Sequence, residues 1–161
     1  METVTRDGLL ATIRRDRARF DGILDRIPQA RYTEPVLPGG WSVKDVLAHI
    51  AWGEREAIGV ATTRALVGSD LWQVSQDERN EAVVRESRSR DLEAVVTDYR
   101  NTFDEFVAAI EELSDDELND PHRFAGLPET IPGWLPWRVL YDPGHYEDHG
   151  TTLREVFVDG A

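Results

Sequence analysis

The amino-acid sequence predicts an all-α protein, a four-helix bundle in which one long crossover connects the second and third helices. Four segments repeat apolar side chains at steps of three and four residues, the spacing of one face of an α-helix. Stretches rich in proline and glycine fall between these segments. Because no run of β-branched residues alternates with polar ones over the length of a strand, we expect no β-sheet.

The first predicted helix runs from about Thr5 to Ile27 and is stopped by Pro28. Its apolar stripe consists of Leu9, Leu10, Ile13, Phe20, Ile23, Leu24 and Ile27. Four arginines are expected to decorate its other, solvated faces: Arg14, Arg15, Arg17 and Arg19. The segment "EPVLPGG" (34–40) that follows has the composition of a loop.

The second predicted helix begins in the sequence "WSVKD" and fades by Gly68. Ser42 is a good N-cap residue, and Asp45 stands three residues later in the capping-box position. Trp41, just before the cap, is interpreted as a residue that fixes the entry of the chain into the helix. The apolar stripe of this helix is Val43, Val46, Leu47, Ile50, Ala57, Ile58 and Ala61.

The crossover, residues 68–87, is predicted to hold a short helix from about Ser75. The third long helix is predicted from about Asp91 to Leu113, where apolar residues keep a 3.6-residue period. The sequence "SDDEL" (114–118) places Ser and Glu in capping-box positions and predicts one more helical turn.

The fourth predicted helix spans about Leu135 to Val158 and contains Pro143. A proline inside a helix removes a hydrogen bond and clashes with the preceding turn. The helix is therefore expected either to kink near Asp142 or to restart there, with Asp142 as N-cap and Pro143 at the first helical position.

Composition narrows the classes of function. The chain has 161 residues, which predicts a single domain over residues 1–161, and it has no cysteine for a disulfide, a metal ligand or a nucleophile. A formal net charge of −13 disfavours binding to nucleic acid or to anionic membranes, which requires clustered Lys and Arg. With no long apolar run and a charged N-terminus, a soluble cytoplasmic protein without a membrane span is expected.

The histidines are the strongest chemical signal. His145 and His149 stand four residues apart, so their side chains project from the same face of a helix, a spacing that suits two ligands of one divalent ion. His49 on the second helix is the candidate third ligand. Three histidine ligands leave a position open for water or substrate, which is typical of a catalytic site. The alternative is three ordinary histidines that bond to neighbouring carboxylates and backbone.

Other residues are assigned around this candidate site. Glu54 and Glu147 are predicted to bond to the ligating histidines and orient them. Trp52, Trp72 and Asn80 are predicted to line a substrate cleft over the histidines, although large aromatic residues in loops more often pack than bind. The sequence identifies no catalytic acid, base or nucleophile, and it contains neither a Gly-rich phosphate loop nor a Ser-His-Asp order.

Two motifs together resemble a known family: "WSVKDVLAH" (41–49) and the terminal "H-Y-x-x-H" (145–149). They are similar to the DinB-like superfamily, and more closely to the ClbS/DfsB family within it, over essentially the whole chain. The resemblance implies an up-down-down-up bundle. It also implies that His49, His145 and His149 bind a divalent metal, Ni or Zn. The sequence "DPG" (142–144) departs from the family pattern and leaves open whether His145 faces His49.

The resemblance also implies an activity. ClbS-like members protect the cell from a reactive electrophile, so the leading expectation is a small-molecule hydrolase with a detoxifying role. One alternative is a binding protein that sequesters a small molecule without turnover. Others are a thiol-dependent transferase or isomerase of the DinB-like type, or an interaction module. A monomer or a homodimer is expected.

Overall fold

Four long helices and several short ones make up the computed structural model, which describes residues 3–64, 70–123 and 136–160. The helices are α1 Arg6–Leu24, α2 Val43–Thr63, α3 Gln76–Arg88, α4 Leu92–Glu111, α5 Asp115–Asn119, α6 Trp137–Leu140 and α7 His145–Arg154. Helical turns of other types are Gln29–Arg31, Pro38–Gly40, Asp70–Gln73 and the π-helical Glu155–Asp159. Within these ranges there is no β-strand, so the predicted all-α class is confirmed.

Contacts between α2 and α4 show that these two helices run parallel. Near the start of both helices, Lys44 Nζ donates to Arg90 O. Further along both, Arg55 Nη1 donates to Asp98 Oδ1 over 2.8 Å. Parallel neighbours need a long connection, and the crossover predicted over residues 68–87 is present, with α3 between the two helices in the chain.

Helix α7 lies parallel to α1 on the other side of the bundle. Tyr141 OH, just before α7, donates to Asp16 Oδ2 over 2.7 Å. One turn on, the rings of Phe20 and Tyr146 lie 5.7 Å apart between centroids. Since α1 is antiparallel to α2, as shown by the bond from Lys44 N to Tyr32 O, the predicted up-down-down-up order is confirmed.

The start of α2 is held by the predicted capping box. Ser42 Oγ accepts from Asp45 N, and Asp45 Oδ2 accepts from Ser42 N over 2.9 Å. Ser87 Oγ of α3 donates to Asp45 Oδ1 over 2.7 Å, which ties the crossover to the same point. Similar capping boxes begin α3 at Ser75 and α5 at Ser114, so the predicted short helix and final turn are both present.

The predicted fourth helix is divided, and its boundary differs from the expectation. The chain becomes extended at Tyr141, and the helix restarts at His145 with Gly144 as N-cap. Pro143 therefore lies before the helix, and Asp142 is not its N-cap; instead Asp142 Oδ1 accepts from Gly144 N over 3.0 Å. The proline disfavours helical backbone at Asp142, which explains the restart. The predicted start at Leu135 lies outside the described residues.

The bundle core confirms the predicted apolar stripes but corrects one assignment. Among the side chains with less than 2% exposure are Ile13, Phe20, Leu47, Ile50, Phe106, Ile110 and Leu153. Arg17, expected on a solvated face, is only 5% exposed and lies inside the bundle. Helix α1 ends at Leu24, earlier than predicted, and α2 ends at Thr63, which agrees with the prediction that it fades by Gly68. No helix in the described ranges is long and apolar enough to cross a membrane.

Candidate metal centre

Three imidazole rings from two distant parts of the chain meet at one end of the bundle. His49 comes from α2, and His145 and His149 come from successive turns of α7. One ligand nitrogen from each residue lies within 4.8 Å of the other two. The ring centroids are 4.9 to 5.1 Å apart. We call these three residues the histidine cluster.

The helix restart before α7 does not move His145 away from α2. Its Nε2 lies 2.9 Å from Nε2 of His49, the shortest separation between the rings. A Cβ atom at Gly53, one turn after His49, would lie 3.9 Å from Cε1 of His145. That distance is an ordinary van der Waals contact, so the His145 ring packs close to α2 at this position. The sequence "DPG" (142–144) therefore does not prevent His145 from facing His49.

The cluster consists of neutral bases at physiological pH. Burial is the main reason why the pKa of His49 is lowered to about 3. Electrostatic repulsion of the protonated ring by His145, His149 and Arg79 adds to this shift. Burial, with a smaller contribution from His145, lowers the pKa of His149 to about 4. Burial also lowers the pKa of His145, against the opposing charges of Asp142 and Asp148. Neutral imidazoles keep free lone pairs, the form in which histidine binds a metal.

One separation between the histidine nitrogens is close to that of two ligands on one divalent ion. A zinc–nitrogen bond is about 2.0–2.1 Å, so two nitrogens on one ion lie roughly 3–3.4 Å apart. The separation of 2.9 Å between His49 and His145 is already close to this range. Without an ion, the same separation is a hydrogen bond in which one imidazole donates to the other. In the described part of the chain, none of the three rings bonds to a carboxylate, and Nδ1 of His49 is buried without a partner.

Trp41 is a component of the site that sequence analysis interpreted only as a packing residue. Its ring meets the ring of His49 edge-on at 5.4 Å and stacks on that of His149 at 6.4 Å. A tight turn presents it: Gly39 and Gly40 both have positive φ, and Leu37 N donates to Trp41 O over 3.0 Å. The only signal in the sequence was its position beside the glycine pair and the cap of α2.

Asn80 and Trp52, which were both predicted to line the substrate cleft, do not line the same cavity. Asn80 of α3 lines a cavity of about 510 Å³ together with Trp41, so it lies beside the cluster. Trp52 is half-buried on α2 and is not among the residues that line this cavity. The backbone of Trp72 lies in the turn Asp70–Gln73, and its side chain is outside what the structure describes.

The two predicted orienting carboxylates do not bond to the histidines. Glu54 is buried and its Oε1 accepts from Tyr146 OH. Burial raises the pKa of Glu54 to about 7, although the Tyr146 bond and Arg17 oppose this shift. Glu147 is exposed on α7 and lines a separate cavity between α1 and α7. Glu54 is thus connected to the cluster only through Tyr146, the residue next to His145.

Glu54 belongs to a buried set that we call the Arg17 network: Arg17, Asp21, Glu54, Tyr99 and Tyr146. Arg17 Nε donates to both carboxylate oxygens of Asp21 at 3.1 Å, and Nη2 donates to Tyr99 O at 3.2 Å. Its guanidinium also lies 3.6 Å from the centre of the Tyr99 ring. Nη1 of Arg17 forms an ion pair with Glu54 Oε1 at 3.6 Å. This network joins α1, α2, α4 and α7 directly behind the histidine cluster.

The fold and the cluster together define a DinB-like helical bundle, and a comparison with family models gives the same class. Residues 13–142 match the model for the mycothiol maleylpyruvate isomerase N-terminal domain, a DinB-like family, and the chain belongs to that family. The superfamily expected from the motifs is therefore confirmed, through a different family than ClbS/DfsB. The match includes His49 and ends before His145.

A solved structure supports the same fold. The crystal structure of an uncharacterised protein from Escherichia coli UTI89 superimposes with a TM-score of 0.74 at 15% identity. The alignment covers 94% of this chain and 91% of that one. At this identity the likeness shows the fold alone. A search of curated proteins found no match.

Proposed function

We propose that this protein is a small-molecule enzyme that holds a divalent metal at His49, His145 and His149 and acts on a reactive electrophile. The observation that carries the proposal is the convergence of three partly buried, neutral imidazoles that bond to no carboxylate in the described ranges. Nitrogen ligands of this kind suit Zn or Ni. A bound ion would supply Lewis acidity to a substrate atom at a position that three ligands leave open.

The chain's own residues supply binding and orientation. The capping box at Ser42 and the Arg17 network hold α2 and α7 in place and thereby set the distance between His49 and His145. Trp41 covers one side of the cluster and limits the access of water to it. Arg79 lies near enough to lower the pKa of His49, so its positive charge favours an anionic group at the site.

Hydrolysis is the leading reaction class. No cysteine is present, and no serine hydroxyl is bonded to a histidine in the described ranges, which favours a nucleophile from solution over a Cys or Ser nucleophile of the chain. In a hydrolytic reaction that nucleophile is water, and a strained or activated electrophile is opened or cleaved. Such a reaction has the self-protective role implied by the resemblance to ClbS-like proteins.

A thiol-dependent isomerase or transferase is the second candidate, and the family match favours it. The family is named for an isomerase that works with mycothiol, a low-molecular-weight thiol. A thiol from solution would take the place of water at the same three-histidine site. Sequestration of a small molecule without turnover is the non-catalytic alternative.

Metal analysis of protein purified without an affinity tag tests the centre. We expect one equivalent of Zn or Ni in the native chain and less than a tenth of an equivalent in His149→Ala. His122→Ala is the matched control, because His122 is exposed and lies away from the cluster. A native chain that stays metal-free after dialysis against Zn or Ni would overturn the metal role.

The reaction class is tested with a small epoxide as the electrophile, with and without a low-molecular-weight thiol. Diol formation beyond one equivalent in the absence of thiol supports hydrolysis. Turnover that requires the thiol supports the transferase alternative. Binding of the epoxide without any turnover supports sequestration and rules out both enzymatic assignments for this class of substrate.

A further inference from the structure

The cavity beside the histidine cluster has polar walls with a mixed charge. It is lined by Gly39, Trp41, Asp77, Asn80, Glu81, Val84, Arg85 and Arg88, and its volume of about 510 Å³ is that of a small-molecule site. Trp41 lines this cavity, and its ring also contacts His49 and His149 of the histidine cluster. The cavity therefore adjoins the candidate metal centre across a single aromatic side chain.

Most of the polar side chains in this wall are unpaired. Asp77, Glu81 and Arg85 follow one another at four-residue steps and share one face of α3, about 6 Å apart along its axis. Among the described residues none of the three forms a hydrogen bond or an ion pair, although Glu81 and Arg85 have the spacing at which such pairs usually form. The half-buried amide of Asn80 is also without a partner there.

Arg88 has a different role in the same wall. Its Nη2 donates to Gly40 O over 3.4 Å, the carbonyl directly before Trp41. This contact connects α3 to the turn that presents the tryptophan, and it directs the Arg88 side chain toward that turn. Arg85 is consequently the guanidinium left available to a ligand, and it is exposed on the same face of α3 as the exposed carboxylates of Asp77 and Glu81.

We propose that this cavity binds the zwitterionic, amino-acid-like part of a small molecule, with its ammonium group at Glu81 and Asp77 and its carboxylate at Arg85. Charge-assisted hydrogen bonds at both ends recognise the two groups, and the Trp41 ring packs on the apolar part. The two carboxylates and two guanidiniums leave the wall close to neutral. A net charge of −13 on the chain disfavours a ligand that is purely anionic, and the two arginines disfavour one that is purely cationic.

The assignment of this molecule as substrate rests on the proposed function, because the metal centre would act on the part of the ligand that lies beyond Trp41. Binding of the zwitterion itself does not depend on the metal. The two proposals can therefore be tested separately on the same preparation.

Three probes that share a phenyl ring test the charge preference by calorimetry on chelator-treated protein: phenylalanine, phenethylamine and 3-phenylpropanoate. We expect phenylalanine to bind about tenfold more tightly than either singly charged probe. Equal affinity for all three probes, or no binding of phenylalanine at millimolar concentration, would overturn the proposal.

Two variants test which side chain binds the ammonium group of the ligand and which binds its carboxylate. Glu81→Gln is expected to weaken phenylalanine and phenethylamine about fivefold and to leave 3-phenylpropanoate unchanged. Arg85→Gln is expected to weaken phenylalanine and 3-phenylpropanoate by a similar factor and to leave phenethylamine unchanged. Glu86→Gln is the control, because Glu86 is exposed on α3 outside the cavity. Identical losses for all three probes would show a general packing effect and contradict the assignment.

Metal content separates the two proposals. Glu81→Gln and Arg85→Gln should retain the metal stoichiometry of the native chain, and His149→Ala should retain the affinity for phenylalanine. Selective phenylalanine binding by a chain that takes up no metal would overturn only the proposed function. A metal-loaded chain without selectivity among the probes would overturn only the cavity assignment.

Discussion

Two polar groups of residues lie next to each other in the bundle, and they differ in charge: the Arg17 network contains charged groups of both signs, whereas the histidine cluster is neutral. The Arg17 network combines a buried guanidinium with the carboxylates of Asp21 and Glu54. The histidine cluster contains three bases and no carboxylate bonded to them in the described ranges. The first group carries its own counter-charges, whereas the second contains neutral imidazoles whose lone pairs have no counter-charge bonded to them in the described residues.

This difference favours a structural role for the Arg17 network and is consistent with the binding role proposed for the histidine cluster. Removing one partner of a buried ion pair is strongly destabilising, because it leaves an uncompensated charge in the core. Clustered imidazoles that must remain uncharged weaken the fold in acid and contribute no compensating ion pair. The binding role proposed for the cluster would account for three imidazoles that meet without counter-charges.

Removing the cation of the network is expected to have the largest effect on stability. Arg17→Leu leaves the buried carboxylate of Glu54 without its charged partner and should lower the free energy of unfolding by about 3–5 kcal/mol. Arg14→Leu removes an exposed ion pair with Glu111 from the same helix and should cost less than about 1 kcal/mol. Chemical denaturation measures both, and similar losses would show that burial of Arg17 is energetically unimportant.

Metal binding should stabilise the fold through the histidine cluster alone. Zinc at about 100 times its Kd stabilises the folded state by about 2.7 kcal/mol, which raises the Tm by roughly 5–10 °C for a chain of this length. The shift should disappear in His49→Ala and persist in His122→Ala. A zinc-dependent shift that survives in His49→Ala would place the ion elsewhere.

Acid should destabilise the metal-free protein through the cluster. The pKa of His149 is lowered to about 4 in the folded state, so its contribution to stability is complete above its unfolded pKa of 6.5 and is lost as the pH falls toward 4. Between pH 7 and pH 5 the native chain should therefore lose about 2 kcal/mol more than His149→Gln, measured by urea unfolding in the presence of a chelator. Parallel pH profiles for the two proteins would contradict the burial of a neutral ring.

Glu54 should produce a smaller pH dependence with the opposite sign. Its pKa is raised to about 7 in the folded state, so the stability that it contributes is complete below about pH 4.5 and is lost as the pH rises through 7. Glu54→Gln, which is neutral at every pH, should gain about 1–2 kcal/mol relative to the native chain between pH 4.5 and pH 7.5. Glu147→Gln, at an exposed carboxylate, should show no such gain, and a gain of equal size there would rule out the burial effect.

Sequence periodicity was sufficient for the helices and for the pairing of His145 with His149. Both depend on interactions within three or four residues, so local spacing and local capping determine them. The same local rules located the capping boxes at Ser42, Ser75 and Ser114. The exact restart of α7 was missed, because the turn around Pro143 has several local solutions of similar energy.

The tertiary structure decided the neighbours of each side chain across the bundle. Arg17 has the sequence signature of a solvated helix face, yet it is buried because Asp21, Glu54 and Tyr99 surround it. Glu54 was predicted to orient a histidine and instead accepts a hydrogen bond from Tyr146. Contacts between residues far apart in the chain depend on helix packing, which a single sequence does not encode as a short pattern.

By itself, the sequence determined the all-α class, the approximate positions of the first three long helices, the absence of cysteine chemistry and the presence of two histidines on one helix face. Only the tertiary structure brought His49 within 2.9 Å of His145 and set Trp41 against both His49 and His149. Helix formation is governed by residues one turn apart, whereas a site built from α2 and α7 depends on how two packed helices are aligned along their lengths.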